Sequence, residues 1–228
     1  PAAAAAAAAA ATPATRRSPA RTSSPLAAGS AVVPAVGSKA GAGQDAALLL
    51  TGGTRQVMTT DHLRAFVEDP VVMARIATVH ALGDIWAMGA DAQAATASLT
   101  LPRMSEALAE RTLTEILTAA SDILRGAGAE IVGGHSSMGD EMTIGFAITG
   151  LCAQDPITLA GAREGDDLVL TKPIGSGVVM AAEMQGLARG ADVAAALASM
   201  TRPQQDATEI LRGARVGRRK ERTWLSCR

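Results

Sequence analysis

Three carboxylates in the first half of the chain stand where packing alone does not ask for them. Asp45 in GAGQDAA (41–47) precedes an apolar run, and Asp61 in TTDH (59–62) follows one. Asp84 in LGDIWAMG (82–89) lies among Leu82, Ile85, Trp86 and Met88, on what the apolar pattern predicts to be a packed helix. A lone buried carboxylate is costly unless hydrogen bonds or a cation satisfy it. Hard cations such as Mg²⁺ take oxygen ligands and are commonly shared between one or two carboxylates and the phosphates of a nucleotide. Clustered carboxylates repel one another without such a cation. Taken singly, Asp45 also reads as a turn residue and Asp61 as a turn or cap residue. Neither reading serves Asp84, which is mid-helix, and the neighbouring Gly83 admits the close approach of a ligand or another backbone.

A fourth stretch, GGHSSMGDE (133–141), reads as a Gly-rich loop after a strand and holds His135, Ser136, Asp140 and Glu141. Such a loop is either a plain turn or a set of backbone N–H groups open to phosphate. It is neither G-x-x-x-x-G-K-[ST] nor G-x-G-x-x-G, so no P-loop or dinucleotide fingerprint is supported. The three histidines lack metal-site spacing, and no G-x-S-x-G elbow is present. Lys172 in LTKPIGSG follows a strand pattern and is either a phosphate contact or a solvated side chain.

The elements that must position these residues follow from periodicity and punctuation. AALLL (46–50), Gly52-Gly53 and RQVMTT (55–60) predict a β-hairpin. Asp69 as N-cap and Pro70 at the first helical position start a helix that runs to about Met88 and stops at Gly89. QAATASLTLP (93–102) predicts a strand. Ser105 begins a second helix with Leu113, Ile116, Leu117, Ala120, Ile123 and Leu124 on one buried face, ended by Gly126 and Gly128. AEIV (129–132) and MTIGFAITGL (142–151) predict strands. GAREGDDLVLTKPIGSG (161–177) reads as turn, strand and Gly-rich turn, with two or three short helices to about Arg212. This order predicts an α/β (α+β) domain with helices covering a sheet.

Composition narrows the classes. Hydrophobic residues make up 48% of the 228 and aromatics only 2%, so the core is aliphatic and stacking platforms for single-stranded nucleic acid are not expected. A formal net charge of −1 gives no general reason to expect nucleic acid or an acidic membrane as partner. Two cysteines without a C-x-x-C argue against a disulfide framework or a cysteine-rich zinc site, and fit a cytoplasmic protein. No apolar run reaches the length of a membrane span, about 18 residues. The start is low in complexity, rich in Ala, Pro, Ser and Arg, and free of carboxylates before Asp45. It reads as a disordered linker or, less well, a transit peptide. The Arg-rich end, GARVGRRKERTWLSCR, has no periodicity and reads as a solvated or non-native terminus rather than a nucleic-acid-binding tail. The expected divisions are a linker over 1–42, an N-terminal domain over 43–153, an α/β C-terminal domain over 154–212 and an aberrant tail over 213–228.

In their order and spacing, GQDAALLL, QVMTTDHLRAFVEDP, VVMARIATVHALGDIWAMGA, AEIVGGHSSMGDEMTIGFAITGL and GAREGDDLVLTKPIGSGV resemble the selenide, water dikinase (selenophosphate synthetase) family. That family lies in the aminoimidazole ribonucleotide synthetase-like superfamily, with thiamine monophosphate kinase and a hydrogenase maturation protein. The resemblance covers roughly residues 43–212. HLRAFVED and ITLAGAR look closest to bacterial forms fused behind a flavin-dependent NADH dehydrogenase-like domain.

The resemblance implies an N-terminal domain with a mixed sheet covered by helices, whose strands join a second subunit's in a barrel, so a homodimer. It implies ATP, Mg²⁺ and selenide as ligands, with ATP and Mg²⁺ bound by the 43–153 domain, and selenophosphate, AMP and phosphate as products. By position it implies Asp45 and Asp84 as Mg²⁺ ligands, and Asp61 at the ATP phosphates and metal. Gly133, Gly134 and His135 match a nucleotide-contacting loop supplied by the partner subunit. Departures from the family's pattern set this chain apart: no Cys precedes Cys152, Lys39 lies too near Asp45 to match the family's essential Lys, and Gln44 stands where the family usually has a second Asp. The family's continuation after ILRGA, with a further metal-binding Asp, is also not matched, so the resemblance implies that the 154–212 domain is truncated. The expectation is therefore a copy that binds ATP without completing the reaction. The readings kept beside it are a sister ATP-using enzyme acting on thiamine monophosphate and a non-catalytic dimerising remnant.

Overall fold

The computed structural model describes residues 33–34, 46–157 and 170–213. Asp45, Gln44 and Lys39 lie outside the described residues, as do the terminal stretches and most of the strand expected within 161–177. The strands are β1 (Val33–Pro34), β2 (Ala47–Thr51), β3 (Thr54–Arg64), β4 (Asp91–Pro102), β5 (Glu130–Gly139) and β6 (Thr143–Cys152). The helices are α1 (Pro70–Ala87), α2 (Glu106–Gly126), α3 (Ser176–Met184), α4 (Gly190–Met200) and α5 (Gln205–Gly213). One mixed sheet runs in the order β1-β2-β3-β6-β4-β5, antiparallel except for the parallel β4–β5 pair that α2 connects.

The expected hairpin forms as β2–β3, with Gly52 and Gly53 at φ 57° and 83°, the left-handed pair that a tight two-residue turn requires. α1 starts as read: the Asp69 carboxylate accepts from the backbone N–H of Val71 and Val72, and Pro70 follows it. α1 is apolar over most of its circumference because most of it is covered, burying Met73, Ile76, Val79, Leu82, Ile85 and Trp86, with Arg75 left exposed. The expected face of α2 is also found. Ile116, Ala120 and Leu124 are buried, and Leu113, Leu117 and Ile123 pack partly buried beside them.

α1 and α2 cover one face of the sheet, meeting Val57 and Thr59 of β3, Ile144, Phe146 and Ile148 of β6, and Ala95, Ala97, Leu99 and Leu101 of β4. The alternate residues, among them Thr60, His62, Thr96 and Ser98, are exposed on the opposite face. Two expectations are corrected. The strand holding Thr59 and Thr60 continues to Arg64, because β6 pairs it throughout, Asp61 opposite Phe146 and Arg64 opposite Thr143. GGHSSMG is strand rather than loop, because β4 offers it a parallel ladder from Thr96–Gly133 to Pro102–Gly139.

Candidate functional site

The site is a seam between β3 and α1. Strand alternation turns Thr59 and Asp61 to the helical side, about 6.8 Å apart at 3.4 Å per residue. On α1, His80 and Asp84 stand one turn apart, about 6 Å at 1.5 Å per residue. The two repeats nearly match, and each strand residue meets a helix residue. Thr59 Oγ1 donates to Asp84 Oδ2 at 2.6 Å, and His80 Nε2 lies 2.8 Å from Asp61 Oδ2. Asp61 Oδ1 accepts from the backbone N–H of His62 at 2.9 Å. Thr59 and Asp84 are 4% and 5% exposed, so their contact is a short, charge-assisted bond out of water.

Asp84 also borders a cavity of about 420 Å³ between α1 and the α3–α4 region, walled by His80, Gly83, Lys172, Met180 and Met200 among others. Gly83 opens onto it, and a Cβ there would meet no atom within 4 Å. The chain after β6 and α5 are both tied to the C-terminal end of α1. Ile157 N–H donates to Met88 O at 3.0 Å, Thr208 Oγ1 to Trp86 O at 3.3 Å, and Arg212 bonds both Asp91 and the Gly89 carbonyl. Lys172 is committed to structure: its Nζ donates to the Ser199 and Arg202 carbonyls at 2.9 and 2.5 Å, closing the C-terminal end of α4. Burial, and after it the Arg202 guanidinium, hold its pKa below the usual lysine range.

The structure thus brings Asp61 and Asp84 to one seam; Asp45 lies outside the described residues, and the three remaining proposed residues lie apart from the seam. Gly133, Gly134 and His135 sit on edge strand β5, three strand spacings or about 14 Å from β3. Pairing puts His135 beside Ser98, and the Thr100–Ser137 hydroxyl contact at 3.2 Å confirms that His135 faces the open side of the sheet, away from α1. Glu141 pairs with Arg64 through two contacts of 2.6 and 2.8 Å at the surface. The sequence reading missed Thr59 and His80. Their signals were present as spacing, two residues before Asp61 and four before Asp84.

No three His, Cys, Asp or Glu among the described residues gather as a metal cage. Two carboxylates on one seam fit instead a Mg²⁺ ion that completes its shell with phosphate oxygens and water. No described helix is long and apolar enough to cross a membrane.

Sheet, seam and cavity make a mixed α/β domain, and residues 43–152 match the model of one class of protein, the AIR synthase related protein, N-terminal domain. Within that class the chain is similar to selenide, water dikinases. It is 43% identical over 141 residues to the one from Nitratidesulfovibrio vulgaris (strain DSM 19637 / Miyazaki F), covering 61% of this chain and 40% of that protein. It is 39% identical over 173 residues to the one from Desulfitobacterium hafniense (strain Y51), covering 75% of this chain and 50% of that protein. The chain therefore spans about half or less of the length of these relatives. The solved structure of AaThiL complexed with AMPPCP and TMP shares the fold, with TM-score 0.64 at 20% identity, over 76% of this chain and 58% of that one.

Proposed function

We propose that this chain carries the nucleotide-binding part of a selenophosphate synthetase, which uses ATP, selenide and water to form selenophosphate, AMP and phosphate. The observation that carries the reading is a carboxylate, Asp84, buried at 5% exposure yet bordering a cavity, in a chain 43% identical to a selenide, water dikinase. The likeness to AaThiL speaks for the fold and not for thiamine monophosphate as substrate. Transfer of phosphoryl groups asks a protein mainly for positioning and charge neutralisation. Asp61 and Asp84 would hold Mg²⁺ with the nucleotide phosphates, and the cation would offset the charge of both. Thr59 keeps the Asp84 carboxylate oriented at the helix surface. Asp45 is proposed as a further ligand on the resemblance alone.

A second copy of the chain is part of the reading. It would bring its own Gly133, Gly134 and His135 to the nucleotide. The flavin-dependent NADH dehydrogenase-like domain is proposed as a fused or neighbouring partner on the wording of HLRAFVED and ITLAGAR, and the cytoplasm as the location on cysteine usage.

Calorimetric titration with ATP, with Mg²⁺ and with EDTA, tests the site on the wild-type chain and on Asp84→Asn. The expected result is Mg²⁺-dependent binding that weakens about tenfold or more in Asp84→Asn, since loss of a ligand charge falls directly on the cation. Binding indifferent to both Mg²⁺ and the substitution would overturn the assignment.

A further inference from the structure

We propose that His80 is a positioning residue for the nucleotide-bound cation, acting through Asp61; the inference rests on the nucleotide reading above. Asp61 has two oxygens and each meets a different neighbour. Oδ1 accepts from the adjacent His62 N–H, a contact that travels with the strand itself. Oδ2 meets His80 Nε2 at 2.8 Å, and His80 is the only ion-pairing side chain at Asp61 among the described residues. The carboxylate is therefore fixed by its own strand on one side and by α1 on the other. Removing the imidazole would release the second oxygen while leaving the strand unchanged.

Three features make this more than a surface pair. The side chains are 28% exposed for His80 and 19% for Asp61, so the contact is largely withdrawn from water. α1 holds the imidazole rigidly, since Ala77, Ala81 and Asp84, its neighbours at three, one and four residues, are buried at 3%, 0% and 5% exposure. His80 also lines the cavity that Asp84 borders, so one helical turn presents a cation ligand and the donor that aligns the next carboxylate. Groups that hydrogen-bond a metal-bound ligand orient it and set its basicity, and losing one typically costs about 10–100-fold in metal affinity.

The test compares His80→Gln and His80→Met, side chains of nearly equal length that differ in a terminal N–H donor. The readout is the Mg²⁺ concentration giving half-maximal binding of the non-hydrolysable nucleotide AMPPCP, with melting temperature measured in parallel. His80→Met is expected to raise that concentration about tenfold, while His80→Gln stays within about twofold of wild type. A role confined to pinning β3 on α1 would lower the melting temperature of His80→Met and leave its Mg²⁺ requirement where it was, and that result overturns the proposal. Equal loss in both variants overturns it too, because donation would then not matter. Asp61→Asn separates the layers. If wild type binds with Mg²⁺ and Asp61→Asn weakens it while His80→Met does not, His80 alone is wrong. If the folded wild-type chain binds no nucleotide, the nucleotide reading falls and this role falls with it.

Discussion

Asp84 costs the fold a buried charge, and Thr59 is one of the groups that offsets it. The hydroxyl donates at 2.6 Å to a carboxylate that water barely reaches. Thr59→Val keeps the shape and β-branching of the side chain and removes the donor. The expected destabilisation is about 1–3 kcal/mol, the penalty of a buried polar group left short of a partner. Urea unfolding of Thr59→Val against wild type measures it, and the double variant with Asp84→Asn should recover part of the loss, because the charge that needed the donor is gone. Asp84 was legible in the sequence through contradiction, a carboxylate amid apolar neighbours. Thr59 and His80 were not, because a Thr in a strand and a His on a helix contradict nothing. They become informative only when a strand repeat of two residues is laid along a helical repeat of four.

At the scale of elements, the starts and stops of α1 and α2 were legible because caps are local chemistry: Asp69 with Pro70, and Ser105 accepting from Leu108 N–H. β5 was not. Gly133 and Gly134 are loop formers by local preference, yet the ladder offered by β4 overrides that preference. Gly134 serves close approach. A Cβ on Gly134 would lie 2.2 Å from the Ala97 carbonyl oxygen and 2.9 Å from its nitrogen, both backbone atoms that cannot step aside. Gly134→Ala should therefore cost about 3 kcal/mol, the upper end for overpacking. By contrast, Gly177→Ala in α3 meets no atom within 4 Å and should be neutral or stabilising by about 0.5–1 kcal/mol. Thermal melts of the two variants side by side check the pair, and an unaffected Gly134→Ala would mean that the β4–β5 ladder is not closed as described.

For the whole molecule, the question is what meets the uncovered side of the sheet. Among the described residues, helices cover one face only, and the other presents Thr60, His62, Thr96, Ser98 and Thr100, polar side chains over a flat surface. β5 adds a ten-residue edge strand, exposed along most of its length, with neither Lys nor Pro to discourage pairing. A bare edge beside a flat small-residue face suits a second sheet better than it suits water. In a two-fold assembly the same patch meets itself, so one substitution enters the interface twice. Thr96→Lys with Ser98→Lys would set two pairs of like charges against each other across the axis while leaving the α1-facing core untouched. The expected outcome is a wild-type dimer by light scattering and a monomeric double variant with the same helical circular dichroism. That monomer should also bind nucleotide more weakly if, as proposed, the second copy supplies Gly133, Gly134 and His135 to the nucleotide. A wild-type chain that is monomeric yet binds Mg²⁺-nucleotide fully would remove the second copy from the site and leave the β3–α1 seam to act alone.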